Sequence, residues 1–418
     1  MFPVAASRLP VNRRRLGWIA LACSAAGLAM GLSACGGGSR NSFFAPGSIV
    51  SFGDENSAFD TYTGSLKKAD GTPNAANSSA MIKGLTYTVQ DAVVGASLVC
   101  PDTTTGQPST PARECTASTS NGGAMTSPTL SGRGGYYGLS SFTSTKLEVE
   151  SGASANQLTT TTTYNCGTPR IWVHVLARAY GRGFNSQCVV DPFNGAVSYA
   201  AFGAQTDDVI AQIAAHRGEL NSSTLVTIMV GQNDILAQYA IVRASGNPST
   251  AEAAAITELQ ARADRMAAAV KDVIGTGAKV VLSLTPSLNN SPKGVSGLED
   301  GALLSRMVVA YNDRLYVRGL GNVSGRDLVG VNPDSFTNTT TRSTSYVHST
   351  ALCDTSALTK PDGATTSGLP SDVLFCTTAN IVPGGSLSTY MWADATHFAP
   401  LGHSLIGSLA FNRARQQL

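Results

Sequence analysis

Three separated segments carry the residue types that acyl-transfer chemistry uses. Asp394 and His397 stand three residues apart in WADATHFAPLGHSLIG, Asn233 lies in VGQND, and Gly203 ends YAAFG. A hydroxyl is a weak nucleophile until an adjacent imidazole takes its proton. The oxyanion that then forms needs preorganised N–H donors. These segments therefore hold the groups that such a site requires, apart from the nucleophile.

A fourth segment, SIVSFGDENSAFD at residues 48–60, raises the question of the nucleophile. Its apolar run ends at Gly53-Asp54, as a strand does when it stops at a functional turn. Glu55 follows directly, and Ser57 comes two residues later. The chemistry of the site depends on which of these two side chains faces His397.

Strands that alternate with helices position these segments. The run STLVTIMVG is almost wholly apolar, as is typical of a strand buried on both faces of a parallel sheet. Such alternation predicts an α/β fold with a doubly wound parallel sheet, whose ligands bind at the carboxyl ends of the strands. The predicted strands are SIVSF, AVSYAAFG, STLVTIMVG, AKVVLSLTPS and DLVGVNP, and the predicted helices include PRIWVHVLARAYG, TDDVIAQIAAH and the long run after Pro248.

Here the sequence resembles the SGNH, or GDSL-type, hydrolase family, which is named for Ser, Gly, Asn and His residues from four blocks in this order. LVTIMVGQNDI is similar to the third block, and WADATHFAPLGHSLIG is similar to the Asp-x-x-His block. The resemblance covers residues 47–63 and 168–414. It implies the family's three-layer, flavodoxin-like fold and carboxylic ester hydrolysis, of acyl or acetyl esters.

The resemblance also implies a role for each matching residue. His397 corresponds to the base and Asp394 to the carboxylate that fixes its tautomer. The Gly203 backbone N–H and the Asn233 side-chain amide correspond to the oxyanion donors. His403, in the apolar helix that follows, is expected to be structural.

The sequence departs from the family at the nucleophile. Aligned without a gap, Glu55 takes the place of the serine, and Ser57 takes the place of a second small polar residue. Residues two apart at a helix start point about 200° apart, because each step turns about 100°. We therefore expect Ser57 to face away from His397, unless two extra residues in the turn make Ser57 an alternative nucleophile.

Two functions stay open at this point. The first is an envelope ester hydrolase that works by some route despite Glu55. The second is a catalytically impaired pseudoenzyme that keeps the cleft for ligand binding or for a scaffold role. The second follows from chemistry: a carboxylate that faces an imidazole stabilises its protonated form and removes it as a base.

The N-terminus predicts export and lipid attachment. Residues 1–34 hold three consecutive arginines, an apolar core and then small residues, which is the pattern of a signal peptide. LSAC resembles the bacterial lipobox, in which Cys35 would become lipid-modified. Gly36 rather than Asp follows, which for a Gram-negative source indicates the outer membrane, on either its periplasmic or its surface face. An ordinary signal peptide is the alternative. Residues 35–46 are predicted to be a flexible tether that follows the signal peptide.

A single hydrolase-like domain is predicted for residues 47–418, interrupted by a turn-rich insertion at about 64–165. Six cysteines remain besides Cys23 and Cys35, and an even number in an exported chain indicates disulfides. A metal site is the competing interpretation, but the sequence has no Cys-x-x-Cys and no histidine near these cysteines at ligand spacing. Pairing of neighbours predicts the bonds Cys100–Cys115, Cys166–Cys188 and Cys353–Cys376.

The composition limits the classes of binding partner that we expect. A net charge of +2 with 13% charged residues gives no electrostatic footprint for nucleic acid. The glycine-rich stretches lack the strand–loop–helix arrangement of a nucleotide site, and we expect no cofactor and no metal. The expected partners are a small-molecule, lipid or polysaccharide ester and, through the lipid anchor, a membrane. We expect a monomer.

Overall fold

The computed structural model describes residues 43–64, 80–99, 140–148, 156–337, 346–358 and 370–418. The chain divides into two compact units, Met1–Phe43 and Phe44–Leu418, and the first lies almost entirely outside the described residues. The predicted signal peptide, Cys35 and most of the tether therefore fall where the structure gives no description.

A five-stranded parallel sheet forms the centre of the second unit. Its strands, in chain order, are β1 (Ser48–Gly53), β2 (Ala196–Ser198), β3 (Thr224–Met229), β4 (Lys279–Ser283) and β5 (Leu328–Val331). They lie side by side in the order β2-β1-β3-β4-β5. This is the flavodoxin-like order, in which the direction of winding reverses between β1 and β3. The predicted fold class is confirmed.

Helices cover both faces of the sheet. The helices of more than seven residues are α1 (Trp172–Ala179), α2 (Thr206–His216), α3 (Gln232–Ala244), α4 (Pro248–Gly275), α5 (Gly301–Asn312) and α6 (Pro400–Gln417). Alternate side chains of a strand point to opposite faces. Val226 and Ile228 of β3 accordingly pack in the core formed with α2 to α5, whereas Leu225 packs with α1 and α6. These are the three layers of the predicted sandwich.

The segment between β1 and α1 contributes further strands. Asp60–Gly64 pairs antiparallel with Ala80–Leu85. Ala92–Val99, Ser140–Glu148 and Asn156–Tyr164 form a separate antiparallel sheet in which the last of these strands is central. Much of the predicted insertion therefore has strand structure where the structure describes it.

Two of the three predicted disulfides are present. Cys166 bonds Cys188, and Cys353 bonds Cys376, with Cα atoms 5.8 and 6.2 Å apart respectively. Both predictions are confirmed, whereas Cys100–Cys115 lies outside the described residues. Among the helices that the structure describes, none has the length and apolar character needed to cross a bilayer.

Candidate active site

The predicted site residues meet at the carboxyl edge of the sheet, where β1 lies between β2 and β3. Glu55 begins a short 3₁₀ turn after β1, and Gly203 lies in the loop after β2. Asn233 lies in the first turn of α3, directly after β3. Asp394 and His397 come from the loop that precedes α6. The reversal of winding at β1 and β3 opens the crevice in which such folds bind ligands.

Gly53 sets the direction of the turn that carries Glu55. Its φ is +147°, and a Cβ added there would lie only 2.3 Å from the backbone oxygen of Met229. Only glycine fits this backbone conformation and this close approach. The Asp54 side chain then caps the turn by accepting the backbone N–H of Asn56 at 3.0 Å.

Glu55 occupies two catalytic positions of the expected site at once. Its Oε2 accepts hydrogen bonds from the Gly203 backbone N–H at 3.0 Å and from Asn233 Nδ2 at 2.8 Å. Its Oε1 lies 3.4 Å from His397 Nε2, within ion-pair distance. One carboxylate oxygen thus fills the expected oxyanion position, and the other faces the imidazole where the serine oxygen is expected.

Asp394 holds the imidazole from the opposite side. His397 Nδ1–H donates to Asp394 Oδ2 at 2.6 Å. The other carboxylate oxygen, Oδ1, accepts the backbone N–H groups of Thr396 at 2.8 Å and of His397 at 2.7 Å. The ring therefore has a fixed orientation, with Nε2 directed toward Glu55.

Electrostatics keep His397 protonated. Burial alone lowers the pKa of His397, but the charges of Asp394 and Glu55 outweigh burial and raise it to about 10. Burial would raise the pKa of Glu55, yet the contacts with His397 and Asn233 lower it overall. At neutral pH the site therefore holds an imidazolium between two carboxylates, and His397 has no lone pair with which to act as a base.

Burial also shifts the pKa values of two neighbouring groups. Burial, together with the charge of Glu55, raises the pKa of Asp54 well above its usual value. Burial and the charge of His397 lower the pKa of His403 to about 3. The Nδ1 of His403 accepts the backbone N–H of Trp172 at 3.4 Å, which joins α6 to α1. At neutral pH His403 therefore carries no charge.

Ser57 lies on the other side of the turn. Its Oγ accepts a hydrogen bond from Trp172 Nε1 at 3.0 Å, and its backbone oxygen accepts one from the Ser198 hydroxyl at 2.7 Å. Within the described residues no hydrogen bond joins Ser57 to His397. The Ser57 hydroxyl is therefore a structural link between the turn and α1, in the orientation that helical geometry predicts, and it is not positioned as a nucleophile.

A cleft of about 1010 Å³ opens in front of these groups. Glu55, Gly203, Asn233, Asp394 and His397 all lie in its lining. Its walls add apolar side chains and a few polar ones from the loop after β2, from α3 and from the segments that follow α3: Phe202, Leu236, Tyr239, Ala240, Arg243, Ala244, Lys293 and Leu298. The described residues contain no group of His, Cys, Asp and Glu arranged to hold a metal ion.

Sequence reasoning missed the residues of the cleft wall and the anchoring role of Trp172. For α3 a signal was available, because Leu236, Ala240 and Ala244 follow Asn233 at three, seven and eleven residues and so share its helix face. Trp172 gave no such signal, because its partner Ser57 is 115 residues away in the sequence.

Comparison with protein-family models gives a match to the GDSL-like lipase/acylhydrolase family over residues 140–410. The match spans more than half of the sequence, and the chain belongs to this family. The matched range begins well after Glu55, so it includes Gly203, Asn233, Asp394 and His397 but not the turn after β1. A search of curated proteins gave no match.

A search of solved structures also gave matches. An extracellular lipase from Streptomyces rimosus is 16% identical, with a TM-score of 0.34, over 53% of this chain and 82% of the lipase. Protein YxiM from Bacillus subtilis is 10% identical, with a TM-score of 0.30, over 87% of this chain and 92% of its own. Membership of the family therefore rests on the matched residues 140–410.

Proposed function

We propose that this chain is an envelope lipoprotein of the GDSL family in which serine-type ester hydrolysis is impaired and the cleft serves to bind a ligand. The observation that carries this proposal is the placement of Glu55. Its Oε2 accepts the hydrogen bonds of the Gly203 N–H and the Asn233 amide, and its Oε1 faces His397 Nε2.

This placement obstructs the serine route in two ways. The donors that would stabilise an oxyanion already hold a negative oxygen, so an ester carbonyl must displace it before reaction. His397 is protonated, so it does not take a proton from a nucleophile. Direct attack of Glu55 on an ester would form an anhydride, which is less stable than the ester itself.

Turnover of p-nitrophenyl acetate tests the proposal. We expect no hydrolysis by the wild type above buffer, and a gain in Glu55→Ser that is lost again when His397→Ala is added. One well-placed oxyanion donor changes rates by about a hundred- to a thousandfold, so Asn233→Ala should also remove most of the gained activity. Glu219→Ser, which changes an exposed glutamate beside His216, is the matched control and should gain nothing.

A second candidate is an active ester hydrolase for acyl or acetyl esters. Family membership and the intact Asp394–His397 pair favour it. The same assay separates the two functions. Wild-type turnover that disappears in both Ser57→Ala and His397→Ala would show a mobile turn that brings Ser57 to the imidazole, and the impaired-enzyme proposal would then be abandoned.

The proposed attachment to the envelope rests on the sequence around Cys35. Metabolic labelling with palmitate should label the wild type and not Cys35→Ser, and fractionation should place the labelled protein in the outer membrane of a Gram-negative host. Label that persists in Cys35→Ser, or a cleaved protein without lipid, would support the ordinary signal peptide instead.

A further inference from the structure

A carboxylate in this position has a chemistry that a serine lacks. Attack on an acyl carbon gives an unstable anhydride, but attack on a saturated carbon gives an ordinary carboxylic ester. The groups around Glu55 are the groups that hydrolyse an ester: two oxyanion donors on its Oε2 and the Asp394–His397 pair beside its Oε1. The site is thus equipped to break an ester formed on its own side chain.

We propose that the cleft hydrolyses epoxides to diols through a covalent ester on Glu55. This activity goes beyond the proposed function, because it requires no serine nucleophile and no external ester. The substrate is an apolar epoxide, and the only co-reactant is water.

In the first step the Glu55 Oε1 attacks a ring carbon of the epoxide. A carbon–oxygen bond forms, the ring carbon–oxygen bond breaks, and its electron pair stays on the ring oxygen. That oxygen takes the proton of His397 Nε2, which lies 3.4 Å from Oε1. Glu55 becomes a neutral hydroxyalkyl ester, and the imidazolium becomes a neutral imidazole.

The second step uses the imidazole that the first step has produced. Neutral His397, oriented by Asp394, takes a proton from water as the water oxygen attacks the Glu55 carboxyl carbon. The oxyanion forms on Oε2, where Gly203 N–H and Asn233 Nδ2 already donate. Collapse expels the diol oxygen, which takes the proton from His397, and the new Glu55 acid returns its proton to the ring. The sum is epoxide plus water giving diol.

The charge state of the site favours an epoxide over other alkylating substrates. Opening the strained ring creates an alkoxide that needs a proton, and His397 carries that proton at neutral pH. The same loss of charge on Glu55 removes one of the two carboxylates that hold His397 protonated. The cleft wall fits an apolar substituent, since Phe202, Leu236 and Leu298 lie along it.

Diol formation from styrene oxide is the first test. We expect the wild type to form diol faster than buffer alone, Glu55→Gln to fall to the rate of buffer, and Glu219→Gln to match the wild type. Glu219 is the matched control because it also pairs with a histidine, at 2.8 Å, but in solvent. If the wild type forms diol no faster than Glu55→Gln does, the proposal is overturned. The result with p-nitrophenyl acetate would be unaffected.

A single turnover in water enriched in oxygen-18 distinguishes the covalent route from direct attack by water. We expect the heavy oxygen to appear in the peptide that contains Glu55, and the first diol to carry none from the solvent. Heavy oxygen in the first diol, with an unlabelled Glu55, would show that Glu55 acts only as a base and would overturn the proposal.

Trapping the ester gives an independent check on the wild-type result. In Asn233→Ala, His397 still supplies the proton of the first step, but one of the two oxyanion donors of the second step is lost, so an ester on Glu55 should accumulate and appear as the mass of styrene oxide added to that peptide. Circular dichroism of the variant establishes that it is folded. A folded variant that carries the adduct on a different residue would contradict the assignment of Glu55.

Discussion

Two buried clusters combine a carboxylate with a histidine, and they differ in how completely the carboxylate is bonded. In the core, Asp191 Oδ1 accepts from Arg178 at 2.8 Å and from the Phe193 backbone N–H at 3.1 Å. Its Oδ2 accepts the Phe184 backbone N–H at 2.9 Å and lies 2.9 Å from His174 Nε2. Both oxygens are saturated, and the cluster fixes the loop that the Cys166–Cys188 disulfide closes.

In the cleft cluster, the two oxygens of the Glu55 carboxylate have unequal contacts. Glu55 Oε2 has two donors at 3.0 and 2.8 Å, whereas Oε1 faces His397 Nε2 at the longer distance of 3.4 Å. Glu55 also lines the cleft, although only 2% of its surface is exposed. Similar residue types thus make a structural anchor in one place and line a cleft in the other, where we propose that the carboxylate reacts. The difference is a carboxylate oxygen that faces an imidazole at 3.4 Å beside a cavity.

The largest effect that this comparison predicts is on stability at Asp191. Asp191→Ala leaves Arg178 without its buried partner and two backbone N–H groups without acceptors, so we expect a loss of about 3–5 kcal/mol in the free energy of unfolding. Urea unfolding measures it. Asp207→Ala, which breaks an exposed pair with Arg265, is the control and should cost less than about 1 kcal/mol. Equal losses in the two variants would show that the buried carboxylate of Asp191 stabilises the fold no more than an exposed ion pair does.

A smaller effect concerns the pH dependence that His397 confers. Its folded pKa of about 10 lies above the usual value, so its stabilising contribution is complete below about pH 6.5 and is lost as pH rises toward 10. Glu55→Gln removes one of the two charges that raise this pKa, so the alkaline loss should be smaller and should be complete at a lower pH. Urea unfolding between pH 6 and 10 measures the shift, and NMR titration of the ring locates the pKa.

An unchanged His397 pKa in Glu55→Gln would mean that Asp394 alone determines the protonation of the ring. In that case the 3.4 Å contact between Glu55 and His397 has no electrostatic consequence. The hydrogen bonds of Asp191 would then be the remaining difference between the two clusters.

The smallest effect is expected at the exposed pair of Glu219 and His216. Their atoms are 2.8 Å apart, yet both side chains contact solvent. Glu219→Gln should change the free energy of unfolding by less than about 1 kcal/mol, and less still in high salt. Thermal unfolding at two salt concentrations measures it. A loss as large as that of Asp191→Ala would show that burial does not determine how much such a carboxylate–histidine pair contributes to stability.

The fold and most of the site could be predicted from the order of residue types along the chain. The apolar strands alternating with helices, and the four segments at strand ends, were enough to predict the parallel sheet and the meeting of Gly203, Asn233, Asp394 and His397 at its carboxyl edge. Local chain direction made this possible, because parallel strands bring their carboxyl ends to one side. Spacing along the chain likewise predicted the disulfides Cys166–Cys188 and Cys353–Cys376.

The contacts of Glu55 and Ser57 depend on tertiary packing. The turn after β1 is short, and whether its side chains contact His397 or Trp172 depends on a loop and a helix that lie more than a hundred residues away in the sequence. The protonation of His397 is also a tertiary property, since it results from burial between Asp394 and Glu55. Residue types are local, whereas hydrogen-bond partners and the local dielectric come from packing.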